Sequence, residues 1–196
     1  MNIFLPPAPH SANFFDTVRG RLNDLPTEAL NYPGYGGEPR ASEATIETYA
    51  AALSPKIPKG TPLVGFHTGC LVATEIALQK PGVGQLILVD VPFFDLPTRK
   101  RHAAGLDPDD PAQDAFRAAF AYATGEAMHR LDHPVTMVAT NSPLLEPTRR
   151  AASLVENCRL LTRPDIDKPA FESEALAGLL RELLSDNSQS PADGRS

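Results

Sequence analysis

The chain has 196 residues, 42% of them hydrophobic and 21% charged, which fits a single domain with one sizeable core rather than a disordered chain. Its formal charge is -6 and no Lys/Arg run exceeds Arg99-Lys100-Arg101, so it lacks the basic patch that neutralises phosphates and no nucleic-acid partner is expected. No apolar run approaches the roughly 20 residues that span a bilayer. Met1 to Pro6 has neither a basic nor a long apolar region of signal-peptide type, so a cytoplasmic protein without a membrane partner is expected. The spacing of Cys70 and Cys158 suggests neither a disulfide framework nor a metal site. No cofactor is expected, and the composition leaves the oligomeric state open.

In chain order, Asn2 to Leu5 reads as a strand ended by Pro6-Pro7-Ala8-Pro9. Ser11 is expected to cap a helix carrying Phe14, Phe15, Val18, Leu22 and Leu25 on one face. Glu28 to Tyr32 reads as a second strand, running into the Gly/Pro-rich loop Tyr32 to Pro39. Ser42 is expected to cap a helix with Ile46, Tyr49, Ala50 and Leu53 as its stripe. Leu63-Val64 opens a strand, and a helix follows from Thr68 to just before Pro81-Gly82. Gln85 to Val89 is a continuous apolar run, as in a central parallel strand covered on both faces.

Residues 96 to 132 lack strand character and read as a small helical insertion, with Asp110-Pro111 starting a helix that bears Phe116, Ala119, Phe120 and Ala123. Val135 to Ala139 is the next strand, followed by a helix from Thr148 to Val155 and a short strand at Arg159 to Thr162. The last helix carries Leu176, Leu179, Leu180 and Leu183, and residues 186 to 196 read as a disordered tail. Strands alternating with helices imply an α/β class, a three-layer sandwich around a mostly parallel, doubly wound sheet with a short helical cap. One domain over 1 to 185 is expected, its ligand at the C-terminal ends of the strands.

The stretch Gly65-Phe66-His67-Thr68-Gly69 joins a strand to a helix with two glycines four apart and one large polar side chain at the tip. This is the spacing of a nucleophile elbow, G-x-S-x-G, with histidine in the middle position instead of serine. With it, Asn31-Tyr32-Pro33-Gly34-Tyr35-Gly36-Gly37 is similar to a D-x-P-G-x-G loop after the preceding strand, and Leu5 to His10 occupies the place of an oxyanion loop. In order of elements the chain resembles the α/β-hydrolase superfamily over nearly residues 1 to 185. It would be a minimal member, lacking the two antiparallel strands with which that family usually begins.

The resemblance implies the fold but not the reaction. His67 stands at the nucleophile position, Thr140-Asn141-Ser142-Pro143 holds no carboxylate at the acid position, and Asp167 stands near the place of the general-base histidine. A Ser-His-Asp mechanism cannot be assembled from these residues. His67 at a helix N-terminus is expected to be neutral and to act as base, nucleophile or hydrogen-bond donor. Asp167, or else Asp90 after the fourth strand, is the candidate carboxylate to support it, each weighed against an ordinary loop or capping role, with Asp165 an alternative for the inward position.

Backbone N–H groups near Pro7, His10 and Thr68 are candidates for an oxyanion hole, weakened by the prolines. Phe66, Phe93, Phe94 and the cap would supply an apolar pocket, and Asn141 and Ser142 would either orient a ligand or serve the turn before Pro143. Cys70 reads as core, and His102, His129 and His133 as surface.

Three readings follow. The first is an enzyme acting on a small, partly apolar ester, lactone or carbonyl compound through His67. The second is a catalytically silent homologue that binds a small ligand or a protein. The third is a lyase or isomerase. Hydrogen-bond contact of His67 with Asp167 or Asp90 would favour the first, and isolation of His67 from both would favour the second.

Overall fold

Six strands form one sheet: β1 (Asn2–Leu5), β2 (Thr27–Ala29), β3 (Leu63–Phe66), β4 (Leu86–Val89), β5 (Val135–Thr140) and β6 (Cys158–Arg163). They lie in the order β2-β1-β3-β4-β5-β6 and every pairing is parallel. The structure is a computed structural model that describes residues 1–186. The tail expected from residue 186 lies outside the described residues, except that Asp186 is the last residue of the final helix.

Among the described residues, eight α-helices connect and cover the strands: α1 (Asp16–Arg21), α2 (Ile46–Leu53), α3 (Thr68–Gln79), α4 (Leu96–Ala104), α5 (Asp114–Ala121), α6 (Thr124–His129), α7 (Leu145–Ala152) and α8 (Glu174–Asp186).

The period-2 alternation of the central strands divides the core in two. Leu63, Leu86, Leu88 and Met137 face one side with Ile46, Leu53, Leu71 and Ile76. Phe4, Val64, Ile87 and Val138 face the other with Val18, Leu176, Leu180 and Leu183. Helices therefore cover both faces, which is why β3 and β4 are apolar throughout and fully buried rather than alternating with polar residues.

Local signals account for most boundaries, with several shifts, among them the helix expected from Thr148 to Val155, which runs Leu145–Ala152. The cap of α2 is Thr45, whose Oγ1 accepts from the Thr48 N–H at 3.0 Å, not Ser42. Ser11 makes no capping bond, and a 3₁₀ turn at Ala12–Phe15 precedes α1. β2 is only three residues long, because Tyr32 leaves the edge to bury its ring and donate to Pro6 O at 2.5 Å.

The glycines of the β3–α3 turn are fixed by close approach. A Cβ on Gly69 would stand 2.0 Å from Leu5 O, and one on Gly65 would stand 2.5 Å from Gly69 O. The helix start thus presses against the end of β1 with no room for any side chain.

Between β4 and β5, helices α4, α5 and α6 form the cap. Tyr35, in the Gly-rich loop after β2, donates to Ala112 O at 3.3 Å and accepts from the Ala115 N–H at 2.9 Å. Arg40 grips the buried Asp114 carboxylate through Nε at 2.6 Å and Nη2 at 2.9 Å, and Arg117 bonds the same carboxylate. Arg99 ties α4 to α5 by donating to Phe120 O and Ala121 O at 2.9 and 3.0 Å.

Candidate functional site

His67 sits between β3 and α3 with φ 49° and ψ -115°, a backbone conformation that non-glycine residues rarely adopt. Its own N–H donates to Val89 O at 3.2 Å and its carbonyl accepts from the Cys70 N–H at 2.9 Å, so both neighbours of the turn hold it there. Non-glycine residues kept in such regions cost about 1–3 kcal/mol and cluster at functional sites. The outcome is an imidazole projected at the C-terminal end of the sheet, where parallel α/β folds gather ligands.

The ring packs against Phe66 with centroids 3.9 Å apart. Nε2 is buried without a hydrogen-bond partner among the described residues. Burial, then the charges of Lys168 and His10, lower the His67 pKa to about 4, so the ring is neutral at physiological pH. The N-terminus of α3 adds to the penalty on positive charge.

Two cavities meet at Ala8 and His67. The outer one, about 260 Å³, is walled by Pro7, Ala8, His10, Phe14, Phe66, Lys168 and Pro169. The inner one, about 160 Å³, lies under the cap among Thr68, Pro92, Phe94, Phe116, Phe120 and Leu144. The N–H groups of Ala8 and Thr68 have no hydrogen-bond partner among the described residues, which leaves two donors beside the imidazole. A larger depression of about 390 Å³ at the opposite end of the sheet is lined by Met1, Asn2, Pro26 and Thr61.

Of the residues expected from sequence, Pro7, His10 and Phe66 line the outer cavity and Thr68 and Phe94 the inner one. The two aspartates do not join them. Asp90 is fully buried at φ 54°, its Oδ1 accepting from the Thr140 N–H at 2.9 Å and its Oδ2 from the Thr140 hydroxyl at 2.6 Å. It ties the end of β4 to the end of β5. Asp167 is exposed, and its Oδ1 accepts from Asn141 Nδ2 at 2.6 Å. Asp165 turns outward to pair with Arg163. No carboxylate is hydrogen-bonded to His67 among the described residues.

Ser142 accepts from the Leu144 N–H at 3.1 Å and serves its own turn. Phe93 lies under the Arg150 guanidinium, 5.8 Å from its ring centre, outside both cavities. Cys70 is core: Sγ donates to Gly65 O and Val89 O, and burial pushes the thiol well above its ordinary pKa. His102 and His129 are exposed, but both ring nitrogens of His133 are buried without partners.

Lys168 is the residue that sequence reasoning missed. The expected loop does reach the elbow, but the Asn141–Asp167 bond turns Asp167 aside and leaves the next residue at the cavity. Which member of Asp165-Ile166-Asp167-Lys168 points inward depends on loop conformation, for which no periodic signal exists.

No family model matches the chain, and no curated protein does at a meaningful level of similarity. Solved structures do match. A lipase-esterase related protein from Clostridium acetobutylicum superposes with a TM-score of 0.73 at 16% identity, covering 94% of this chain and 92% of its own. An esterase from Exiguobacterium antarcticum gives 0.73 at 15% identity, covering 96% and 91%. MenH from S. aureus gives 0.76 at 12% identity, covering 95% and 94%.

The chain has the α/β-hydrolase fold.

His67, Asn141 and the Asp167-Lys168 loop follow the C-terminal ends of β3, β5 and β6. The bond between Asn141 and Asp167 joins the loops that follow β5 and β6.

Proposed function

We propose that the chain is a hydrolase of the α/β-hydrolase fold that acts on a small, partly apolar ester, lactone or related carbonyl compound at His67. The observation that carries this reading is the strained elbow itself: a neutral, unpartnered imidazole at the junction of two cavities, next to two unbonded backbone donors. The names of solved structures with this fold, an esterase and a lipase-esterase related protein among them, agree with hydrolysis.

In this reading the imidazole removes a proton from water, and the water oxygen bonds to the carbonyl carbon. The carbonyl oxygen takes the negative charge and is received by the Ala8 and Thr68 N–H groups. As the tetrahedral species collapses, the C–O bond breaks and the proton passes from His67 to the departing alcohol. Ester and water become acid and alcohol, and the ring returns to neutral.

The test is hydrolysis of p-nitrophenyl butyrate by the purified chain and by His67→Ala. Positioned general bases contribute about 10²–10⁴-fold. We expect a loss of that size with an unchanged circular dichroism spectrum; equal rates in the two proteins would rule out His67 chemistry.

One observation favours a second reading. No carboxylate supports the imidazolium that catalysis would form, and Lys168 and His10 oppose it. A silent homologue that binds the same small ligand without converting it accounts for that isolation. Incubation with a bound ester, followed by recovery of either intact ester or its acid and alcohol, separates the two.

A further inference from the structure

We propose that the ligand of this site is a small carboxylate bearing an apolar group of about phenyl size, its carboxylate supplying the negative charge that no side chain brings to His67. The inference rests on the reading, shared by the hydrolase and the silent homologue, that the His67 cavities hold a small molecule.

Three observations converge on it. The outer cavity presents Lys168, His10 and His67 and has no Asp or Glu in its wall, although the chain as a whole carries a formal charge of -6. Lys168 forms no ion pair among the described residues. Asp165, Asp167 and Glu172 border a shallow hollow on the other side of Lys168, but Asp165 is held by Arg163, Asp167 accepts from Asn141, and none of the three forms an ion pair with Lys168. The ammonium at the cavity mouth is therefore open to an anion from outside.

The second observation is the imidazole. Burial, the start of α3, Lys168 and His10 all penalise positive charge on it, and its buried Nε2 has no partner. An anion placed between Lys168 and His67 would reverse the sign of that field. For a hydrolase, the substrate would then bring to each turnover the charge that a triad acid holds permanently.

The third is shape. The inner cavity, about 160 Å³ and walled by Phe94, Phe116, Phe120 and Leu144, matches in size the ~150 Å³ apolar cavities that take up benzene. The two cavities share Ala8 and His67, so a molecule with a carboxylate at one end and a ring at the other would lie across the imidazole. A carboxylate fits better than a phosphate. One ammonium and one imidazole match a single charge, and no arginine lines the cavity to make the bidentate contacts typical of phosphate recognition.

The test compares 3-phenylpropionate with its neutral isostere 3-phenylpropionamide, each titrated into the full chain while the His67 imidazole signals are followed by NMR. We expect the carboxylate to shift those signals and to bind at least tenfold more tightly than the amide. In Lys168→Met that preference should fall to about twofold, and Lys168→Arg should restore it. Equal binding of acid and amide, binding of neither, or a preference untouched in Lys168→Met would overturn the proposal. Because the readout is binding, the two ideas fail separately. A carboxylate preference without any turnover would sink the hydrolase reading alone, and turnover of neutral esters without a carboxylate preference would sink this one alone.

Discussion

His67 concentrates two costs in one residue: a positive φ and a buried ring that resists protonation. The second has a pH signature. In the unfolded chain the imidazole takes a proton near its ordinary 6.5, whereas in the folded chain it does so only at about 4. The unfolded state therefore binds more protons between these values. The stability that comes from a neutral His67 is complete above pH 6.5 and is lost as the pH falls towards 4. The ring is partly accessible, so the loss is discounted to the order of 2 kcal/mol. We expect wild-type protein to lose about that much more than His67→Gln between neutral pH and pH 4, measured by urea unfolding. The reverse ordering would mean that the ring gains a partner when protonated.

At the scale of elements, the cap is fastened at two places, to the loop after β2 and to α3, where the Tyr122 hydroxyl donates to Glu75 Oε2 at 2.8 Å. α4 buries none of its residues and is fastened to α5 chiefly through Arg99. α5 is fastened to the loop after β2 through Tyr35 and the Arg40–Asp114–Arg117 cluster. Burial works against the Asp114 carboxylate, but the two arginines outweigh it and hold its pKa below the usual range. Removing that carboxylate leaves two guanidinium groups facing each other across a gap. Asp114→Ala is expected to cost about 2–3 kcal/mol in urea unfolding, with Asp114→Asn costing less because one acceptor remains. The walls of the inner cavity come from this same element, so the substitution should also weaken binding of apolar ligands.

For the whole molecule, stability is distributed unevenly. β3 and β4 are buried along their full length between two hydrophobic layers, and β1 and β5 flank them. Helix α4 and the short edge strand β2 bury none of their residues, although α5 and α6 send Ala115, Ala118 and Met128 into the core. Amide hydrogen exchange under native conditions should therefore show β3, β4 and α3 opening only with global unfolding. α4 and the loop after β2 should exchange through smaller openings. Uniform protection across the cap and the sheet would show instead that the cap is part of the cooperative core. A cap that opens independently would admit ligand to the inner cavity without disturbing the elbow.

The sequence by itself determined the class of fold, the order of the elements and the sharp strand-to-helix turn at His67. Each of these rests on local information: apolar runs of strand length, helical stripes such as Leu176, Leu179, Leu180 and Leu183, and two glycines four apart. It also marked part of the cavity wall, because Pro7, His10, Phe66, Thr68 and Phe94 lie at strand ends that a parallel sheet brings together. Only the tertiary structure decided the partners of His67. Asp90 and Asp167 are plausible by position, yet Thr140 takes the first and Asn141 the second, across 50 and 26 residues of chain. A hydrogen bond between loops is settled by side-chain direction at the last ångström, which hydrophobic periodicity does not encode. That is why Lys168, one residue beyond the expected aspartate, stands beside the imidazole.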